Sequence, residues 1–267
     1  SDPERLCVHS LVHSASSFGW RKTNCNMSVN PSDSVCQQHH PSALRNRIPI
    51  LKTLLRLLPD SDELSGGALE IASGTGALLE VIVPAYPRLS FQPSEYVPQA
   101  PAAPDEQWVK HGKIGLRQHV DELANIDAHG CAVFPNCLPA VALDLTQPWP
   151  PAVTEKRGSF ALIVCTNTLH ITPWECSVGL LRGAGEMLAP TGCLMVYGPF
   201  KVSGEFVGAD GGLGNANFDA KLRSTNAEWG IRDVDALAKA AAGFGLALSA
   251  KVDMPANNFT LAFVRGT

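Results

Sequence analysis

A carboxylate four residues ahead of a pair of glycines is the first feature of this chain with chemical meaning. The segment Leu69-Glu70-Ile71-Ala72-Ser73-Gly74-Thr75-Gly76-Ala77-Leu78 sets Glu70 in an apolar run and follows it with small residues that open a helix. Glycines there let a ligand approach the backbone, and a helix N-terminus offers unpaired N–H groups and the positive end of a dipole to an anionic group. Glu70 has the charge needed near the ammonium of an adenosine ligand that carries an amino acid. The spacing is not the dinucleotide fingerprint, because Gly76 is followed by Ala77, Leu78 and Leu79 and not by a third glycine, which argues against NAD or FAD. A second acid, Glu95, stands 19 residues after Gly76, where doubly wound folds place a carboxylate to accept hydrogen bonds from ribose hydroxyls. The plain alternatives are a tight structural turn and a surface glutamate.

Other polar residues have two readings each. Asn167 and His170 follow the apolar run 160–165, so they stand at the carboxyl end of a strand, where open sheets bind ligands, and an imidazole there can take a proton near neutral pH. Arg232-Asp233 reads either as a helix cap with an ion pair or as a fork for a carboxylate, and Arg45-Asn46 invite the same two readings. Asn257-Asn258 read as a hairpin turn or as part of a site. Phe218, Asp219 and Trp229 belong to a glycine-rich stretch and read as a lid or as packing. Cys36, His39 and His40 are metal-ligand types, but zinc normally takes four partners and no second pair lies nearby in sequence, so no metal is expected.

These residues need elements to position them. Leu44, Ile48, Leu51, Leu55 and Leu58 form the stripe of an amphipathic helix that begins near Ser42, starts at or kinks around Pro49 and stops before Pro59. From Gly66 strands (68–72, 89–92, 141–145, 160–165, 193–197 and two at the end) alternate with helices (77–83, 176–188, 234–242). This alternation predicts an α/β, doubly wound parallel sheet of seven strands. Two stretches break the rhythm. Residues 97–139 read as an insertion around one helix at about 116–124, and 198–230, with seven glycines, reads as a long functional loop. Residues 1–40 lack a periodic apolar face and read as a mobile arm ahead of a single domain over 41–267.

The 267-residue chain is 45% hydrophobic and 17% charged, which fits a packed globular protein and excludes a disordered or collagen-like one. A net charge of −4 with no basic cluster argues against nucleic acid, and no apolar run approaches the ~20 residues of a membrane-spanning helix. Eight cysteines without a CxxC pair favour a reducing compartment such as the cytoplasm; a start at Ser1 leaves room for a removed targeting peptide.

At the level of whole blocks the chain resembles the class I S-adenosylmethionine-dependent methyltransferases, and within them the DUF938 family, which includes the methyltransferase-like 26 proteins. The blocks are Arg45-Asn46-Arg47, the 69–76 turn, Gln92-Pro93-Ser94-Glu95, Leu143-Asp144-Leu145 with Gln147-Pro148-Trp149-Pro150, Asn167-Thr168-Leu169-His170, Tyr197-Gly198-Pro199-Phe200, Gly230-Ile231-Arg232-Asp233 and Met254-Pro255-Ala256-Asn257-Asn258. The likeness implies a mostly parallel sheet with the last strand reversed, and S-adenosylmethionine across the carboxyl ends of strands one to four. By the same likeness Arg45, Asn46, Glu70, Ala72, Ser73, Gly74, Gly76, Glu95, Asp144, Leu145, Asn167 and Leu169 hold the cofactor, with Glu95 on ribose and Asp144-Leu145 against adenine. His170 and Asn167 lie beside the reactive methyl group, and Tyr197, Phe200, Phe218, Asp219, Trp229, Arg232, Asn257 and Asn258 face the acceptor. The family usually has Asp where Glu95 stands and a shorter link between strands two and three, and its likeness does not extend to residues 1–40. The implied activity is methyl transfer to a small polar metabolite by in-line displacement, yielding S-adenosylhomocysteine. A non-catalytic cofactor-binding or scaffold protein is the alternative.

Overall fold

The structure, a computed structural model, describes residues 39–98 and 122–266; the proposed arm up to residue 38, with Cys36, and most of the expected helix at 116–124 lie outside the described residues. The described chain opens with α1 (Pro41–Leu57), capped by the His40 ring, which accepts the Ser42 N–H, and begun by a proline whose missing donor costs nothing in a first turn. His39 and His40 therefore belong to the folded unit. The helix does not start at Pro49 but runs through it. An interior proline costs ~3 kcal/mol, but α1 buries Ile50 and Leu54 almost completely, at ~1.5–3 kcal/mol each, and packing outweighs the lost bond.

Strands and helices then alternate: β1 (Gly66–Ile71), α2 (Leu79–Ala85), β2 (Leu89–Glu95), α3 (Glu122–His129), β3 (Val141–Ala142), α4 (Pro151–Thr154), β4 (Phe160–Thr166), α5 (Trp174–Met187) and β5 (Leu188–Gly198). After β6 (Phe200–Val202), β7 (Glu205–Phe206), α6 (Leu213–Thr225) and β8 (Arg232–Asp233), the chain closes with α7 (Val234–Ala242), β9 (Leu246–Met254) and β10 (Asn258–Arg265). The main sheet has seven strands in the order β3-β2-β1-β4-β5-β10-β9. The pairings from β3 to β5 are parallel, and β10 runs antiparallel to both its neighbours, as the reversed last strand requires.

Period-two alternation feeds two cores, one on each face. Leu69, Ile71, Ile163, Cys165, Leu194 and Val196 pack with α5 and α7, while Ala68, Leu162, Val164, Met195 and Tyr197 pack with α1 and α2. Cys165 and Cys193 are buried core residues, as their apolar runs suggest.

Two expectations are corrected. The third strand is only Val141–Ala142, because the Asp144 side chain turns the chain by accepting the Thr146 N–H and hydroxyl. The glycine-rich 198–230 stretch is not a loop: it holds β6, β7 and α6, and β6 and β7 join β8 just beyond it in a three-stranded sheet of order β7-β6-β8. Its glycines mark the turns between these short pieces, with Gly204, Gly211 and Gly212 at positive φ. Among the described residues no helix is long and apolar enough to cross a membrane.

Candidate functional site

The strand order turns back on itself between β1 and β4, so the crevice at their carboxyl ends is where an open α/β sheet holds a ligand. The chain leaves β1 through Ala72, Gly74 and Gly76, all at positive φ, before α2 begins. A Cβ on Gly74 would meet nothing within 4 Å beyond its chain neighbours, so the turn faces open space there, whereas one on Gly76 would stand 3.0 Å from His129 Cβ. Gly74 thus serves access and Gly76 serves packing.

The Glu95 carboxylate at the end of β2 accepts the Gly74 N–H at 2.7 Å and the Tyr96 N–H at 2.9 Å, which locks the turn to the neighbouring strand. The Ser73 N–H donates to Ser94 O, and Leu143 N–H to Glu95 O, which brings the segment carrying Asp144 and Leu145 alongside. Leu145 itself is buried, and its carbonyl lies where a side chain on Gly179 of α5 would stand.

Glu70 is 2% exposed, and its Oε2 has no hydrogen-bond partner; the Ser73 hydroxyl is likewise buried without one. Burial, opposed by the nearby Ser73 side chain and reinforced by the Glu95 charge, pushes the Glu70 carboxyl from its ordinary 4.5 up to about 8. Unmet polar atoms this deep are costly unless something satisfies them.

At the end of β4, Asn167 takes positive φ and donates its N–H to Tyr197 O on β5, turning the chain into a 3₁₀ turn over Leu169–Ile171. Leu169 is buried in the core. His170 is 7% exposed, packs against the Phe218 ring edge at 5.5 Å and accepts the Gly230 N–H on its carbonyl. Burial, helped by the Arg232 charge, lowers its pKa from 6.5 to about 4, so the ring is neutral at physiological pH.

The remaining residues divide. Tyr197 is buried, which raises its phenol pKa; its hydroxyl accepts from Asn258 Nδ2 at 3.1 Å, and that bond and the charge of the exposed Arg45 only partly offset the rise. Asn46 is half-buried on the same helix. Phe218, 38% exposed, stands over His170. Trp229 is half-buried, its N–H donating to Asn226 O.

Phe200 is 2% exposed and packs in the α5/α7 core. Asp219 spends both oxygens on Ile231 N–H and Arg223, within α6 and the stretch that follows it, and Arg232 donates to the carbonyls of Glu228 and of Thr172, which follows the 3₁₀ turn. Asp233 caps α7 by accepting from Asp235 and Ala236, as its position predicts. Asn257 forms the β9–β10 turn at positive φ and clamps the glycine-rich segment through Ala209 N–H and Asp210. It borders a separate cleft of about 440 Å³ together with Asn258, Lys251, Asp253 and Phe259.

One group escaped the reading of the sequence. His39, Glu80 and His129 converge beside Thr75 in the glycine turn. Sequence spacing hides them, because they lie 41 and 49 residues apart.

Comparison with known proteins agrees with this layout. The family described as "Protein of unknown function (DUF938)" matches residues 37–265. Among solved structures, the mitomycin 7-O-methyltransferase MmcR superposes with a TM-score of 0.59 at 15% identity over 84% of this chain and 54% of that one. CalO1, a methyltransferase in calicheamicin biosynthesis in its SAH-bound form, gives 0.54 at 16% over 84% and 54%. An O-methyltransferase family 2 protein from Planctomyces limnophilus in complex with apigenin gives 0.52 at 16% over 88% and 63%. At this identity the likeness is one of fold, and the chain spans between about half and two thirds of the length of these proteins.

Proposed function

The chain belongs to the DUF938 family, and we propose that it is an S-adenosylmethionine-dependent methyltransferase acting on a small polar acceptor. The observation that carries this reading is the head of β1: a buried carboxylate oxygen of Glu70 and the Ser73 hydroxyl, both without partners, beside the open space over Gly74. An amino-acid ammonium satisfies Glu70 and would draw it into its charged form. Glu95, held in place by the Gly74 and Tyr96 N–H groups, stands where a carboxylate would accept hydrogen bonds from a sugar diol. The turn of Asp144 and Leu145 flanks the crevice on the β3 side. That fit, and the methyltransferase structures of the same fold, support the cofactor.

When bound, the cofactor supplies an electrophilic methyl group on a sulfonium, which leaves the chain the tasks of alignment and exclusion of water. Asn167 and Leu169 form the wall at the end of β4. His170 stands neutral under Phe218, with a lone pair able to take the acceptor's proton. Phe218 on α6 covers that point. Incubating the full chain with S-adenosylmethionine and a small-metabolite extract, then searching for products heavier by one methyl group, tests this. A methylated small molecule that disappears in Glu70→Ala is expected. Cofactor bound without turnover across the extract would instead favour a non-catalytic binding protein.

A further inference from the structure

A three-donor cluster lies beside the proposed cofactor turn and has no part in the function proposed above. Glu80 stands in the first turn of α2, His129 ends α3, and His39 precedes α1. His39 Nε2 and His129 Nδ1 each lie 3.0 Å from Glu80 Oε1, and the three donor atoms all fall within 4.8 Å of one another. We propose that His39 Nε2, Glu80 Oε1 and His129 Nδ1 form a binding site for one zinc-type divalent cation.

The distances suit it. Two edges of 3.0 Å approach the roughly 3.3 Å edge of a tetrahedron built on ~2.0 Å zinc bonds, and a small rotation of either ring closes the third. Two imidazoles with one carboxylate select a borderline transition metal; magnesium and calcium prefer all-oxygen shells.

The surroundings are those of a built site. His39 Nδ1 lies 2.8 Å from the Thr75 hydroxyl. When Nε2 ligates, Nδ1 carries the proton and donates it to that hydroxyl, the outer hydrogen bond that orients metal-bound histidines. A hydroxyl both donates and accepts, so Thr75 serves the metal-free tautomer equally. Arg47 donates to the other oxygen of Glu80 and leaves Oε1 to the ring nitrogens. All three donors are half-buried, which limits competition from water. A cation here would clamp the start of α1 and the end of α3 to the turn containing Thr75 and Gly76.

The test uses the full chain, purified without a polyhistidine tag and stripped with a chelator. Calorimetry should find one Zn²⁺ per chain, with a melting temperature that climbs as Zn²⁺ rises. Co²⁺ should give the visible bands of a tetrahedral site. His129→Gln should abolish both, and Thr75→Val should weaken Zn²⁺ binding by about 10–100-fold. X-ray absorption at the zinc edge of the wild-type protein should show two imidazole ligands, a result that needs no variant to fold. Absence of Zn²⁺ uptake by the folded wild type, a zinc shell without imidazole, or unchanged affinity in a folded His129→Gln would overturn the proposal. None of these readouts depends on methyl transfer.

Discussion

His170 and Glu70 are buried titratable side chains of the candidate site, and each leads to a prediction. With its pKa near 4, His170 is deprotonated across the physiological range. A base of that kind gives a rate that is flat through ~pH 6.5, where an ordinary histidine would titrate, and that falls only as acid approaches pH 4. His170→Asn keeps hydrogen bonding but cannot take the proton, so turnover should drop roughly 10²–10⁴-fold while cofactor affinity holds; equal loss of affinity would make His170 a binding residue. Glu70 titrates in the opposite sense. Its folded pKa, about 8, lies above its ordinary 4.5, so between those values the folded chain holds a proton that the unfolded chain releases. The stability this contributes is complete below about 4.5 and is lost as pH rises to 8. Denaturant melts of Glu70→Gln should lack this decline, and a parallel decline in the variant would refute the assignment. The placement of Glu70 on a buried strand and of His170 just after one was legible from neighbouring sequence. The bonding of Asp219 and Arg232, both named as candidates, was not, because their partners include main-chain groups such as Ile231 N–H and Thr172 O, which no residue pattern advertises.

Elements were legible where periodicity was strong. α7 begins at Val234 and ends at Ala242 as its pattern and the Asp233 cap indicate. The glycine-rich segment was read as a loop because its helix α6 follows Gly212 without a side-chain cap and buries only Asn215, Asp219 and Leu222, so it has no apolar stripe. In α5, Gly179 and Gly183 lie against the segment after β3: a Cβ on Gly179 would stand 1.8 Å from Leu145 O, and one on Gly183 2.1 Å from the Trp149 ring. Gly179→Ala should therefore cost roughly 1–3 kcal/mol by overpacking. It should also weaken cofactor binding by moving Asp144 and Leu145. Chemical denaturation and calorimetry check the two effects, and a variant as stable as wild type would mean that the segment is not held by α5.

The whole molecule gathers its candidate site at one edge because parallel strands all end on the same side, and the order β2-β1-β4 opens a crevice there. The parallel sheet follows from strand and helix alternation; the strand order does not. What alternation cannot show is closure across the molecule, as where His39 reaches the turn at Thr75 from ahead of α1. The central claim is that the space over Gly74 receives the cofactor. Calorimetry of S-adenosylhomocysteine against wild type and Gly74→Val tests it most directly, with circular dichroism and a melt to establish folding. A Cβ there meets nothing within 4 Å beyond its chain neighbours, although its positive φ costs ~1–3 kcal/mol of strain. The account predicts one site per chain in wild type and no measurable binding in a cooperatively folded Gly74→Val; no binding in wild type, or undiminished affinity in the variant, would contradict it.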